Sequence, residues 1–258
     1  MKNLPPCLSK QFNAFQQATQ SVLGALLTLC FPWPCPVCGS SQKYDEVLCG
    51  PCATNLPVIP EPLCRRCGSP MPDHWRVKVC PECRARKSPI ALTRSRFLYE
   101  QPVLQMIRQV KFSRKARYLK YFAEQLFVLS SSQFPRTVEA IVPVPLHRKR
   151  EWERTFNQSD LLARYHSSLS GLPVVNLLER TVSTQPQTSL SGAARRRNLH
   201  NAFVCRKETR MPRSVILIDD VVTTGATLEA CAALLRKNGV RKVYALTIAR
   251  AVLKHAPI

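Results

Sequence analysis

Apolar and polar positions along the chain change their rhythm near residue 90. After it, short apolar runs alternate with stretches of helical periodicity. Residues 94–99 read as a strand, and residues 102–110 as a helix with Val103, Leu104, Ile107 and Val110 on one face. A second amphipathic helix is predicted over 117–129. Residues 138–143, V-E-A-I-V-P, read as a buried strand ending at proline, and 158–169 as a helix. A polar stretch, 181–201, follows. Then come an apolar strand over 214–218, a helix over 226–237 closed by Gly239, and a final strand over 242–248. Such alternation predicts an α/β domain with a parallel sheet, whose ligands sit at the carboxyl edge of the strands. Before residue 90 the pattern is different: a helical lead-in over 1–34, then a proline- and cysteine-rich segment over 35–88 with little periodicity. The expected organisation is therefore 1–34, 35–88 and 90–258.

Charge adds direction to this outline. The chain has 258 residues with 38 Lys+Arg against 16 Asp+Glu, a formal net charge of +22. Residues 1–90 hold 10 basic and 5 acidic side chains and the remainder 28 and 11, so the excess belongs to the later domain. That domain suits phosphates and polyanions, single-stranded DNA among them, although charge alone has no address. No apolar stretch is long enough to span a bilayer. Residues 22–31 are short, contain Gly24 and Thr28, and run into Pro32 and Pro34 without a signal-peptidase-like site. They read as an amphipathic helix packing on the cysteine-rich segment, with peripheral membrane association as the alternative. The expected location is the cytoplasm.

The strongest chemical signal is V-I-L-I-D-D-V-V-T-T-G-A-T, residues 215–227. An apolar strand delivers two carboxylates, Asp219 and Asp220. A loop of small residues then opens a helix, whose free N–H groups and partial positive charge favour a phosphate. Gly225 lets the backbone approach closely, and Thr223, Thr224 and Thr227 offer hydroxyl donors, with Ala226 between them. Carboxylates facing that phosphate would repel it, but one ribose length away they accept from sugar hydroxyls. Phosphate and diol recognition together describe a ribose 5-phosphate. A buried strand with a capping threonine and two incidental aspartates is the bland alternative, and the full order of features speaks against it.

A second loop, P-V-P-L-H-R-K-R, begins where the 138–143 strand ends. Pro143, Val144, Pro145 and Leu146 would bring backbone to a diphosphate, Arg148 and Arg154 would add guanidinium clamps, and Mg²⁺ carried by the ligand would neutralise further charge. Singly, each arginine is as readily a solvated surface charge. His147 is assigned no role. The stretch 181–201, long for a connector, contains Gln187, Leu190, Arg195 and Asn198 and reads as a closing lid.

Twelve cysteines are present, eight of them in four C-x-x-C pairs. Cys35, Cys38, Cys49 and Cys52 form one unit with a ten-residue spacer. Cys64, Cys67, Cys80 and Cys83 form another with twelve. Four thiolates suit tetrahedral zinc of a structural kind. Two sequential sites are the first reading, an interleaved pairing of Cys35/Cys38 with Cys64/Cys67 the second, and redox disulfides the third. Cys7, Cys30, Cys205 and Cys231 lie outside the pattern.

The D-D-V-V-T-T-G signature resembles that of the type I phosphoribosyltransferases. That resemblance implies a parallel sheet flanked by helices, ribose hydroxyls on Asp219 and Asp220 as the catalytic pair, and the 5-phosphate on Thr223 through Thr227. The chain as a whole resembles the ComF family of competence proteins. It shares F-P-W-P-C-P-V-C-G, the paired C-x-x-C units, V-K-F with Lys111, V-P-V-P-L-H-x-x-R, R-x-F-N-Q, Q-x-x-L-x-x-x-x-R-x-x-N and the acid-pair motif. The resemblance implies a role in uptake or use of external DNA, 5-phosphoribosyl 1-diphosphate with Mg²⁺ as ligand, and contacts with DNA-uptake machinery at the inner membrane face. It leaves open whether the domain is an enzyme or a sensing module. Thr155 departs from the family, which has glycine in R-G-F-N-Q. If the backbone there needs a positive φ, threonine is unfavourable.

Overall fold

A computed structural model describes residues 33–42, 46–113, 116–181, 202–206 and 210–252. The lead-in helix and the 182–201 stretch expected from sequence, with Gln187, Arg195 and Asn198, fall outside those residues. Contacts divide the chain into two compact units, Met1–Leu56 and Pro57–Ile258. The cysteine-rich segment, read as one module over 35–88, is thus shared between them.

In the first unit, β1 (Trp33–Pro34) pairs antiparallel with β2 (Ser41–Gln42), and the short helix α1 (Gly50–Thr54) follows Cys49. The second unit begins with a similar cysteine hairpin and the short helix α2 (Pro81–Ala85). It continues into β3 (Leu92–Leu98), α3 (Val103–Ser113), α4 (Arg117–Gln133), β4 (Ala140–Pro143), α5 (Arg148–Arg154) and α6 (Gln158–Ser170). Then follow β5 (Leu178–Arg180), β6 (Phe203–Cys205), β7 (Ser214–Val222), α7 (Ala226–Lys237) and β8 (Lys242–Arg250).

Four strands form one parallel sheet in the order β3-β8-β7-β4, with Ile216 opposite Tyr244 and Val142 opposite Leu217. The buried run Val215–Ile218 is apolar on both faces, as a parallel strand covered on both sides must be. Helix α7 buries Leu228, Cys231, Ala232 and Leu235 against Val215, Leu217, Val243 and Ala245. Helices α4 and α6 pack together, with Phe122, Leu126 and Leu162 inaccessible to solvent. The parallel sheet flanked by helices expected from the pattern is the architecture found.

The two outer strands are bordered by the unit's own chain. Along β3, Leu98 N donates to Pro57 O at 2.7 Å, Ile59 N to Arg96 O at 3.2 Å and Thr93 N to Arg66 O at 2.7 Å. Along β4, Ile141 N donates to Pro173 O and Val175 N to Ile141 O, both at 2.9 Å. Three elements depart from the sequence reading. Strand β7 does not stop at Ile218, because its ladder with β8 continues to the Val222–Arg250 pair. Helix α5, of sequence R-K-R-E-W-E-R, has no apolar stripe to betray it. Strands β5 and β6 have three residues each, too few for a periodic signal.

Candidate functional site

The carboxyl end of β4, Pro143, lies opposite Ile218 of β7. Both acids of the pair follow directly, in the last part of β7, beyond the end of β4. Asp219 Oδ1 accepts from Ser159 Oγ at 2.9 Å and from Asp220 N at 2.9 Å. Burial, reinforced by the charge of Asp220, pushes the Asp219 carboxyl up to about 7, while these hydrogen bonds and Lys111 pull the other way. Asp220 Oδ2 pairs with Lys111 Nζ at 2.6 Å. The two acids therefore differ: one is desolvated at the helix-α6 side, the other is neutralised by an ammonium from α3.

Past the acids the chain turns through Gly225, whose φ of 78° is a left-handed conformation. An added Cβ would have room there, with Val222 Cγ2 at 3.9 Å, so glycine is needed for the dihedral rather than for space. Thr224 Oγ1 accepts from Ala226 N at 3.4 Å, while Thr223 is exposed and Thr227 half-buried at the mouth of α7. The acid of that first turn, Glu229, is paired with Arg86 at 3.3 Å. The helix end thus retains its electropositive character, and the arrangement offers anion donors and, beside them, hydroxyl acceptors.

The second loop is only partly as expected. Val144 N donates to Ile218 O at 3.0 Å, so it extends the sheet and has no N–H left for a diphosphate. Pro143 and Pro145 have no N–H at all, which leaves Leu146 as the backbone donor of that group. Arg148 is 83% exposed and paired with Glu179 at 3.1 Å, and Glu179 also pairs with Arg206. Arg154 lies deeper. Its Nη1 donates to Gln158 Oε1 at 3.3 Å, and its guanidinium lies 5.8 Å from the centre of the exposed Phe112 ring. Burial holds its pKa below the ordinary arginine value, with Asp220 acting in the opposite sense.

Thr155 has φ 68°, the positive value at which glycine was expected to be favoured. Its strained turn feeds α6: Asn157 caps that helix by accepting from Ser159 N at 3.0 Å and donates from Nδ2 to Val144 O at 3.1 Å. Sequence reasoning missed Ser159 and Arg180. Ser159 reaches an aspartate sixty positions away, which no local pattern reports. Arg180 lies in the field of Asp219 and over the Phe203 ring at 5.4 Å.

The eight cysteines gather as two sequential clusters, Cys35/Cys38/Cys49/Cys52 and Cys64/Cys67/Cys80/Cys83. This grouping is the sequential pairing, not the interleaved one, and all eight are free thiols. In each, the sulfurs lie within 4.8 Å of one another. Cys38 and Cys49 approach to 3.6 Å, and Cys67 and Cys80 to 3.7 Å. Tetrahedral zinc with Zn–S near 2.3 Å requires about 3.8 Å between sulfurs, so both donor sets fit.

A double zinc ribbon domain model matches residues 26–91. Competence protein F of Haemophilus influenzae is 34% identical over 86% of this chain and 98% of its own length. The chain belongs to the ComF family. Other members are DNA utilization protein YhgH of Escherichia coli K12, 33% identical over 84% of this chain and 89% of its own, and competence protein ComFC of Bacillus subtilis, 30% identical over 81% and 86%. ComF relatives thus align along both the cysteine-rich and the α/β parts. Adenine phosphoribosyltransferase from Leishmania tarentolae superposes on 55% of this chain and 74% of its own at 14% identity, with a TM-score of 0.36. Among the described residues of this ComF chain, no helix is long and apolar enough to cross a membrane.

Proposed function

We propose that this protein binds 5-phosphoribosyl 1-diphosphate at the carboxyl ends of β4 and β7, in the service of uptake or utilisation of external DNA. One observation carries the reading: the acid pair is followed within five residues by a left-handed Gly225 and the open N-terminus of a twelve-residue helix. Asp219 and Asp220 take the ribose hydroxyls. Thr223, Thr224, Gly225, Ala226 and Thr227 take the 5-phosphate. Leu146 and Arg154 face the diphosphate, with Mg²⁺ arriving as part of the ligand. Lys111, drawn to Asp220 in the free protein, is released toward the anion as the sugar engages the carboxylate. Transfer of the phosphoribosyl group to an acceptor follows, with diphosphate leaving.

The test is calorimetry on zinc-loaded full-length protein with the diphosphate sugar and Mg²⁺. Removing hydrogen bonds to two charged acceptors is expected to weaken binding roughly 10–100-fold in the Asp219→Asn/Asp220→Asn variant. Absence of binding by the folded wild type, or an unchanged affinity in the variant, would overturn the proposal. Diphosphate release against a panel of acceptors separates turnover from sensing.

A second reading is a non-catalytic adaptor for single-stranded DNA. It is favoured by Trp152, which is 86% exposed on a helix that also carries Arg148, Arg150 and Arg154. Aromatic stacking within a basic groove is how unpaired strands are held without sequence preference. A salt-dependent affinity for single-stranded DNA that Trp152→Ala abolishes, without any diphosphate release, supports it.

A further inference from the structure

Two buried cations of the second unit take no part in the proposed ligand site. Arg94, in β3, and Arg250, the last residue of β8, are each only 7% exposed. Both reach the second cysteine cluster. Arg94 Nη1 donates to Cys64 O at 3.3 Å and to Thr93 O at 2.9 Å, and its Nε to Gln133 Oε1 at 3.2 Å. Arg250 Nη2 donates to Cys67 O, and its buried Nε has no hydrogen-bond partner among the described residues. Carbonyls and an amide do not balance two buried guanidiniums, because an uncompensated buried charge is unfavourable by several kcal/mol. The charge of Arg250 is favoured by the sulfurs of Cys67, Cys83, Cys64 and Cys80, and that of Arg94 by Glu61 and the sulfurs of Cys64 and Cys67, with Arg250 opposing. Four thiolates around Zn²⁺ leave a formal charge of −2.

We propose that Arg94 and Arg250 are built-in counter-ions of a zinc tetrathiolate at the second cluster, and that metal occupancy there is linked through them to the stability of the parallel sheet. The backbone supports such a linkage. Thr93 N is bound to Arg66 O, between the two cysteines of the first pair. Gly68 lies against the sheet so closely that an added Cβ would fall 2.7 Å from Thr93 O. At the other end of the lever, Arg250 stands in register with Val222, and Ala251 N donates to Val222 O at 2.9 Å. Val222 is the residue before Thr223, where the phosphate-binding turn begins. The cysteine knuckle, the two arginines and the last rung of β7 are thus joined through hydrogen bonds. The first cluster, a separate four-cysteine site in the other unit, is the internal control.

The test uses full-length protein loaded with two equivalents of zinc. Release to excess chelator is followed with a chromophoric metal indicator, and thermal unfolding is measured before and after stripping. Second-shell partners of a metal site are worth about 10–100-fold in affinity. Arg250→Met is therefore expected to weaken retention of one zinc equivalent by about tenfold or more and to leave the other unchanged, with Arg250→Lys in between. Stripping zinc should lower the melting temperature of the wild type more than that of Arg250→Met. If Arg250→Met does not fold, Arg250→Gln, which keeps length and a donor but no charge, supplies the same measurement. Release of both equivalents at the wild-type rate from the uncharged variant would overturn the proposal, as would equal loss of both.

Discussion

The two cysteine clusters are built on one local plan and placed in different surroundings. Each opens with C-x-x-C-G-S, Cys35 to Ser40 and Cys64 to Ser69. In each, the glycine is left-handed and donates back to the first cysteine, Gly39 N to Cys35 O at 2.9 Å and Gly68 N to Cys64 O at 3.0 Å. Each second pair starts a five-residue helix directly after Cys49 or Cys80, with proline in its first turn. There the likeness ends. Cys38 is exposed and leans on Ser40 Oγ at 3.1 Å, whose hydrogen bond helps draw the thiol down to about 6. Cys64 and Cys80 are buried with Met71 in a small core of their own, under two arginines from the sheet. A repeated sequence fixes the knuckle. What the knuckle does is decided by what it is pressed against.

The contrast can be broken most sharply at the paired glycines. Gly39→Ala meets nothing within 4 Å and should lose only the left-handed preference, about 1 kcal/mol. Gly68→Ala adds a methyl against a backbone carbonyl that cannot yield, and should lose roughly 4 kcal/mol of the second unit's stability, read by denaturant unfolding. Similar losses for both would show that the second knuckle is not seated on β3.

Acid should distinguish the units next. The first unit contains no histidine. The second buries His166, with Nε2 at 2.9 Å from Ser130 Oγ and Nδ1 unpartnered among the described residues, and burial lowers its pKa to about 4. The unfolded chain then takes up a proton between pH 6.5 and 4 that the folded one refuses, so stability falls as pH drops through that window, by about 3 kcal/mol in all. Asp219 has the opposite slope. Its raised pKa makes the folded state the better proton binder between its ordinary value and about 7, so its contribution declines as pH rises there. The difference between wild type and His166→Gln isolates the histidine. A pH-independent difference would remove His166 from the account.

The smallest effect is expected at Thr155. Both knuckles place glycine where φ is positive, yet the turn before α6 holds a β-branched residue at φ 68°. Thr155→Gly should raise the unfolding free energy by about 1 kcal/mol, strain relief outweighing the added chain entropy. A loss of stability would mean that the Thr155 hydroxyl, donating to Arg154 O at 2.5 Å, outweighs the strain.

Much of this was legible in advance, and the rest was hidden for physical reasons. The cysteine spacing announced two four-cysteine sites, because tetrahedral zinc takes four ligands and each C-x-x-C turn delivers two. Strand β7, its acids and Gly225 were readable because a buried strand, a charge pair and a left-handed turn each leave a local mark. Ser159, Arg180, Arg94 and Arg250 left none. Each is an ordinary helix or strand residue whose partner is remote in sequence, as in the 183-position step from Arg250 to Cys67. Val144 shows the reverse. A residue that looked free to bind a ligand is taken up by an additional rung with Ile218.

The runs at residues 57–59 and 173–175 occupy hydrogen-bonding groups along the outer sides of β3 and β4. Such groups, left open, are templates on which a foreign strand can grow. With those groups occupied by its own backbone, the four-stranded sheet offers a foreign strand fewer open rungs along its two flanks.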